Sequence, residues 1–444
     1  MRAQLGKYWF AVRYSYWFVP ALMLLAAVVL SAITFVIDVS IAQRWPEPLA
    51  VWGLNTPAGA RAVLSTIAGS MITVAGVSFS ILIAAVVFAT GQLGPRLLTI
   101  FMGDTSNKVT LGTFIATFVY GLLVLRTVQD SGPGTGAAFV PHLGVLVALL
   151  MALASLAVLI SFIHHVPRSI STAQVVAHIG KDLIERTAVL FPNRLGEHAN
   201  EGEDLAGAVA DLPQTAGSPV RATKHGYITH IDASGLLSEF TERGGMLRLH
   251  LRPGDFVSEG EKLATTFETD VDDDLRDAVR SAFAIDDERT NRQDFLFVVQ
   301  QLVEIAIRAM SPGINDPVTA ISCLDWLGSA AIQLGQREMP SPYRRDEDGE
   351  LRIALPHLSY EEAVAAMFDT LRPHIAGDRS ASLHAFATLK RVLREVAHPP
   401  YRTALLIQAA ALNETTAQCL AIERDRVAAA SAFAALRDEA GSAA

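Results

Sequence analysis

The sequence predicts a membrane α-helical domain with four transmembrane helices, followed by a cytoplasmic α+β region that contains a small β-barrel or sandwich-like subdomain and a helical subdomain. The charges are divided unevenly, because residues 1–163 hold 8 Lys or Arg and 4 Asp or Glu, whereas residues 164–444 hold 28 and 41. Four long stretches before residue 168 carry no charge, and residues 220–269 contain short alternating strands separated by glycine turns. This division excludes a wholly soluble enzyme, a disordered chain and a fibrous protein.

The acidic second part restricts the classes of partner. Its excess of Asp and Glu argues against nucleic acid as a partner. The two cysteines, Cys323 and Cys419, give neither a disulfide framework nor the spacing of a zinc site. The sequence therefore predicts no cofactor, no metal and no nucleic-acid partner, and a reducing compartment fits this part of the chain.

Residues 1–168 are predicted to form the transmembrane domain, with helices at about 17–37, 62–90, 109–125 and 143–163. Crossing a hydrocarbon layer about 30 Å thick takes roughly 20 helical residues, so the third stretch is at the lower limit. No Asp, Glu, Lys or Arg falls within a predicted span. This argues against proton-coupled or voltage-sensing transport, which uses buried ionisable groups.

The orientation follows from the Lys and Arg residues near the ends of the spans. Basic residues are more frequent before the first span, in the second loop and after the fourth span than in the first and third loops. The bias places both termini and the soluble region in the cytoplasm, and the lipid bilayer is the first expected partner. The residues concerned are Arg2, Lys7, Arg13, Arg96, Lys108, Arg168 and Lys181, against Arg44, Arg61 and Arg126.

The second span carries small and hydroxyl-bearing residues at helical spacing. Small residues let helices approach closely, and hydroxyl groups form hydrogen bonds between helices. Two interpretations are open: the stripe packs against neighbouring helices, or it lines a polar path in a homo-oligomer. The stripe consists of Thr66, Gly69, Ser70, Thr73, Gly76, Ser80 and Ala84.

Two glycines and a proline follow the stripe and are predicted to end or kink the helix. They are Gly91, Gly94 and Pro95. A break at this place is either a hinge or a helix C-cap.

The soluble region is predicted to begin with an exit helix and a linker over residues 169–218. Residues 219–269 then form the small β subdomain, and the segment around Arg252–Gly260 resembles the paired turns of biotinyl- or lipoyl-like domains. A carrier needs an exposed Lys between Met-like neighbours, which this segment does not have, so a structural role is favoured. Residues 270–436 are predicted to be mainly helical, with a helix over Tyr401–Leu436, and residues 437–444 to be a disordered tail.

The densest polar signal lies between residues 286 and 327. Phe295, Val298, Val299, Leu302 and Ala306 predict the buried face of a helix, which the segment 311–317 then ends. Three interpretations are open: a helix–turn–helix corner held by paired charges, a site for a ligand, ion or partner, and a catalytic site. The polar residues that can converge there are Arg289, Asp294, Arg308, Asn315, Asp316 and Asp325.

Three segments of the chain together resemble one family. They are TVAGVSFSILIAAVVFATGQLGPRLL, ERTNRQD and IRAMSPGINDPVTA. The sequence is similar to the domain-of-unknown-function 2254 family of predicted bacterial membrane proteins over nearly its whole length. The resemblance implies a bacterial inner-membrane protein with an N-terminal membrane domain and a cytoplasmic remainder, and it implies no activity.

The leading functional hypothesis is a homo-oligomeric, channel-like or transport protein with a cytoplasmic regulatory domain. Four helices are few for an alternating-access carrier, so a path between subunits is the simpler arrangement. The alternative is a membrane-anchored sensor or scaffold that binds an ion, a small ligand or a protein through its cytoplasmic region. An enzyme is disfavoured, because the sequence shows no nucleophile with an obvious base and no metal-ligand spacing.

Overall fold

The structure is a computed structural model that describes residues 16–41, 56–94, 104–130, 138–169, 171–191, 217–267 and 271–442. The chain divides into two compact units. The N-terminal unit comprises Phe10–Ser171, and the C-terminal unit holds Thr172–Ala444.

Four helices long and apolar enough to cross a membrane form the N-terminal unit. They are longer than the predicted spans, because the chain remains helical beyond each charge-free stretch. Asp38 and Lys108 therefore lie inside helices, and the prediction that the spans contain no ionisable residue is wrong. The helices are α1 (Phe18–Ile41), α2 (Pro57–Leu93), α3 (Thr105–Thr127) and α4 (His142–Ser169).

Contacts between helix ends show that the four helices alternate in direction. Asp38, near the end of α1, binds the start of α4. Arg61, near the start of α2, pairs with Asp130, which follows α3. At the opposite end of the unit, Asp104 at the start of α3 binds His165 near the end of α4.

Helix α3 is the central helix of this unit. Half of its most apolar window is buried, against 17% to 22% in the other three helices. Two glycines permit the close packing: Gly112 faces Met23 of α1, and Gly121 faces Ala68 of α2. The sequence suggested that small residues of the second span pack against neighbouring helices. In the structure, small residues of the third helix do so.

The C-terminal unit begins with α5 (Thr172–Leu190), the predicted exit helix. Val175, Val176, Ile179 and Leu183 are buried, so this helix belongs to the core of the unit. The linker predicted between it and the β subdomain lies mostly at residues 192–216, which are outside the described residues.

Two open sheets follow. The five-stranded sheet has the order β1-β5-β3-β8-β7, and the three-stranded sheet has the order β4-β2-β6. Only the β3–β8 pair is parallel. The strands are β1 (Ser218–Arg221), β2 (Gly226–Ile231), β3 (Met246–Leu249), β4 (Phe256–Val257), β5 (Lys262–Phe267), β6 (Phe283–Asp286), β7 (Tyr343–Arg345) and β8 (Leu351–Ala354).

The predicted β subdomain is confirmed as a β-containing region, but neither sheet is a closed barrel and the sandwich is not confirmed. Strands from outside residues 219–269 complete both sheets, and helix α6 (Ala233–Arg243) interrupts the predicted strands. The sequence contains the signal for α6, because Asp232 accepts the Gly235 N–H and Leu236 and Phe240 are buried four residues apart. The glycine turns are present, with positive φ at Gly254 and Gly260.

The remaining helices pack mainly against other helices and form a helical region. Asp272 accepts the Leu275 N–H at 2.7 Å and caps the first of these helices. These helices are α7 (Asp273–Ala282), α8 (Phe295–Ala309), α9 (Pro317–Gly335), α10 (Tyr360–Phe368), α11 (Arg372–Ile375), α12 (Arg379–Glu395), α13 (Pro399–Cys419) and α14 (Glu423–Ser442).

Two predictions about the C-terminal segment are wrong. The helix predicted over Tyr401–Leu436 is two helices, because Leu420 leaves the helical conformation and Arg426 binds the carbonyl groups of Leu420 and Ala421. The tail predicted to be disordered from residue 437 continues α14 as far as Ser442. Its Glu439 is held by Arg394, a contact between segments that no local pattern reveals.

Candidate functional site

The small and hydroxyl-bearing stripe lies on the surface of the N-terminal unit. Helix α2 packs through its other side, where Leu64, Ala68 and Ala75 are buried. An added side-chain atom at Gly69 or Gly76 would meet nothing within 4 Å. The stripe therefore has no packing partner in the described part of this chain, and its exposed members are Thr66, Gly69, Ser70, Thr73, Gly76, Ser80 and Ala84.

The hydroxyl groups of the stripe donate to their own helix. Thr66 donates to the carbonyl of Ala62, Thr73 to that of Gly69 and Ser80 to that of Gly76, at 2.7 to 2.9 Å. Ser70 donates to Ile67 at 3.0 Å. Each of these hydroxyl protons is donated to a backbone carbonyl of α2. The exposed face therefore presents the lone pairs of the hydroxyl oxygens.

The hinge candidates lie where α2 ends. Gly91 is still inside the helix, and the backbone at Gly94 has φ 116°, a conformation that favours glycine. The Gly94 N–H donates to the Thr90 carbonyl at 3.0 Å, so this residue is the C-cap. Pro95 lies outside the described residues.

Polar groups are buried inside the N-terminal unit, a feature that the sequence analysis missed. The Tyr120 hydroxyl lies 3.0 Å from the Thr34 hydroxyl, and the Thr117 hydroxyl lies 2.9 Å from that of Ser155. The signal that could have revealed them is the row of polar side chains at helical spacing on α3. Hydrogen bonds between spans fix the rotation of each helix against its neighbours.

Asp38 is the most buried carboxylate of this unit, with 1% of its surface exposed. Its two oxygens accept the N–H groups of Leu143 and Gly144, each at 2.9 Å. Those groups lie in the first turn of α4, where no intrahelical carbonyl is available to them. Asp38 therefore caps α4 from a different helix, which is a structural role.

In the C-terminal unit, the ERTNRQD segment before α8 connects several elements. Arg289 donates twice to Asp294, at 2.6 and 2.8 Å, and once to Gln300. Asn291 donates to Asp182 of α5 at 3.0 Å. The Gln293 amide pairs with both backbone polar groups of Ile231 in β2. The segment thus ties α5, β2 and α8 together.

Asp294 is the centre of this connection. It is buried and accepts the Phe297 N–H as the N-cap of α8. Burial raises the pKa of Asp294, and Arg289 opposes this effect. Gly254, with φ 98°, lies so close that a side chain there would overlap the carboxylate. Asp294 is therefore a buried structural contact, and the groups around its carboxylate leave little room for a ligand.

The other residues predicted to converge make separate contacts. Asp316 caps α9 by accepting the Thr319 N–H and hydroxyl, at 3.2 and 2.6 Å. Asp325 binds His384 and Arg391 of α12. Asn315 is exposed with φ 50°, and the Arg308 carbonyl accepts from Ser311. Of the six residues, Arg289 and Asp294 are in direct contact, Asn315 and Asp316 lie together in the turn after α8, and Asp325 pairs with α12.

The corner that ends α8 presents apolar side chains to solvent. Ile314 is 40% exposed and Val318 is 71% exposed. Asn315, Asp316 and Pro317 set the shape of the turn, because they supply the positive φ, the N-cap and the first helical residue. Neither apolar side chain is needed for that shape.

Comparisons with known proteins agree with this architecture. Residues 13–391 match a family model described as a predicted membrane protein, DUF2254. An uncharacterized protein of Mycobacterium tuberculosis is 29% identical over 378 residues, which are 84% of this chain and 71% of that protein. An uncharacterized protein of Mycobacterium bovis is 28% identical over 377 residues, with the same two shares. No solved structure matches the chain.

Proposed function

The chain belongs to the DUF2254 family of predicted membrane proteins, and from this premise we propose that it is a homo-oligomeric, channel-like protein of the bacterial inner membrane. Copies associate through the stripe on α2 and enclose a path between them, while the C-terminal unit regulates that path from the cytoplasm. The observation that carries the proposal is the outward direction of the stripe.

The glycines of the unit support this assignment. Glycine in a helix costs about 1 kcal/mol relative to alanine, so its presence in a span needs a packing reason. Gly112 and Gly121 have one, since each faces a neighbouring helix of the same chain. Gly69 and Gly76 meet no neighbouring helix in the described part of the chain, and a second copy would supply one.

The chemistry of the stripe supports a path for cations. Hydroxyl groups that donate to their own helix present oxygen atoms toward the space beside α2. The C-terminal part of the chain carries the excess of acidic residues, which would raise the local concentration of cations. The proposal includes no catalytic step and no cofactor.

Cysteine substitution tests the arrangement. We expect Thr73→Cys to form disulfide-linked dimers and to react with water-soluble thiol reagents in liposomes. Ile72→Cys is the matched control, because Ile72 is 45% exposed and adjacent in sequence but lies about 100° around the helix. Both substitutions are made with Cys419→Ser. A single unlinked subunit with an unreactive Thr73→Cys would refute the proposal.

Flux measurements test conduction separately from association. Thr73→Val removes one oxygen and keeps the shape of the side chain. We expect purified protein in liposomes to pass K⁺ or Na⁺, and Thr73→Val to lower that flux while disulfide linking at Ser70→Cys persists. Absence of flux with the wild-type chain, at several voltages and osmotic tensions, would contradict conduction even if the copies associate.

A second candidate function is a scaffold that binds a protein through the corner at Ile314 and Val318. The exposure of both side chains favours it. A photo-reactive amino acid at position 318 should give a defined protein adduct in cells. The same substitution at Val189, which is 76% exposed, is the matched control. Equal labelling from both positions would remove the support for this candidate.

A further inference from the structure

Helix α12 offers a row of basic and aromatic side chains on one side. Arg379 and Arg394 are fifteen residues apart, which is about 22 Å along a helix. Phe386 and Lys390 lie between them at helical spacing. We call these four residues the α12 seat.

Helix α14 covers the seat with the complementary charges. Arg379 binds Asp425 at 3.0 Å, at the start of both helices. At the other end, Arg394 forms two hydrogen bonds of 2.8 Å with Glu439. The carboxylates are fourteen residues apart, so two parallel helices bring both pairs into register.

Between the ion pairs, α14 is attached by a small apolar contact. Ala429 and Leu436 are its buried side chains among the described residues, and the Phe433 ring lies 6.3 Å from the Phe386 ring. The preceding helix α13 buries seven residues. The attachment of α14 therefore depends less on buried side chains, and more on its ion pairs, than that of α13.

A short turn joins α14 to the rest of the unit. It comprises Leu420, Ala421 and Ile422, and Arg426 holds it through the carbonyl groups of the first two, at 2.7 and 3.0 Å. Helix α14 also contacts α13, where Arg402 donates to the Ala440 carbonyl at 3.2 Å, so opening this turn releases that contact together with those to the seat. Exchange of an identical element between copies is a low-cost route to dimers when one short connection opens.

We propose that α14 is an exchangeable arm, and that α14 of a second copy of this chain fills the α12 seat. A second copy is the partner that fits best, because it brings two carboxylates at the required spacing with an aromatic ring between them. This association uses the C-terminal unit alone and is independent of the stripe on α2. Both helices α13 and α14 follow the residues that match the family model, so the inference concerns this chain.

Charge reversal on separate chains tests the exchange. R394E and E439R each place like charges at the seat within one chain. The R394E chain keeps Glu439, and the E439R chain keeps Arg394. In a mixture of the two full-length variants, exchange brings these two native residues together. It also brings the two substituted residues, which carry opposite charges, together at the other seat. We expect about tenfold more dimer in the mixture than in either variant alone, measured by light scattering in detergent. The double variant R394E/E439R restores the pair within one chain and should match the wild type.

A second measurement covers the case in which a single reversal unfolds the region. A fluorescent peptide of residues 423–442 should bind the wild-type chain, and the same peptide with E439R should bind at least several-fold more weakly. If the mixture contains only the species of its components and the peptide does not bind, the proposal is wrong. Dimers that form equally in every sample belong to the stripe on α2 and also contradict exchange.

Discussion

Gly180 shows how one residue decides the packing of α5. Its backbone lies against the indole of Trp326 in α9, and an added side-chain atom would overlap the ring. We expect Gly180→Ala to destabilise the C-terminal unit by about 2 kcal/mol or more, because a large ring in a buried contact has little room to move. Thermal unfolding, followed by the reaction of the buried Cys323 thiol with a fluorescent maleimide, measures the loss.

Gly377 is the matched control for this prediction. An added side-chain atom there would meet nothing within 4 Å. Gly377→Ala should leave the unfolding temperature within the range of an ordinary surface substitution. Equal unfolding temperatures for the two variants would mean that α5 does not pack on Trp326 as described.

The roles of residues near helix ends could be predicted from local sequence patterns. Contacts between distant segments of the chain could not. The break after α8 was predicted because the segment 311–317 lies next to the helix that it ends. Asp325 was expected to join the same corner, yet it binds His384, 59 residues away. Sequence spacing contains no information about which distant helix supplies the partner.

At the scale of the element, Asp38 makes the start of α4 depend on α1. Asp38→Ala leaves the N–H groups of Leu143 and Gly144 without their acceptors inside the unit. We expect a loss of about 2 kcal/mol, since a lost cap and an unsatisfied buried donor each cost on the order of 1 kcal/mol or more. Thermal unfolding in detergent measures it.

Asp130 provides the control at the same end of the unit. Its side chain is 62% exposed and pairs with Arg61. Surface pairs contribute about 0–1 kcal/mol, so Asp130→Ala should change the unfolding temperature much less than Asp38→Ala. A larger effect of Asp130→Ala would contradict the capping role of Asp38.

The attachment of α14 should depend on pH. Arg394 and Lys390 lower the pKa of Glu439 from 4.5 to about 2. Because the pKa is lower in the folded chain, the ion pair stabilises the attachment above pH 4.5, and the stabilisation is lost as the pH falls toward 2. Hydrogen exchange, corrected for its intrinsic pH dependence, should show α14 losing protection in that range before α13 does. Glu439→Gln should remove most of the difference.

The elements themselves were predicted unevenly, for a physical reason. Four apolar stretches of about the length that crosses a bilayer predict four helices, because within a single segment only a helix satisfies its backbone in lipid. The sheets were predicted less well, since β6, β7 and β8 join them from outside residues 219–269. The direction of the α2 stripe was left open, because a helical pattern shows which residues share a face and not what that face meets.

At the scale of the whole molecule, the four candidate spans of the described residues, an even number, predict that the two ends of the N-terminal unit lie on the same side of a membrane. The side of the membrane on which the C-terminal unit lies can be measured by labelling a natural cysteine. Cys419 is exposed and can react, whereas Cys323 is buried. Burial raises the pKa of Cys323 to about 12, so this thiol stays protonated and unreactive near neutral pH.

The excess of Lys and Arg beside the predicted inner ends of the spans predicts that the C-terminal unit lies in the cytoplasm. A membrane-impermeant maleimide should therefore label the chain in inside-out vesicles and leave it unlabelled in sealed right-side-out vesicles. Cys419→Ser should abolish the labelling in inside-out vesicles, which would show that the buried Cys323 does not contribute. Labelling in right-side-out vesicles would reverse the orientation and place the acidic unit outside. The acidic residues could then act only on ions that approach from the outer side, and regulation of the path from the cytoplasm would be excluded.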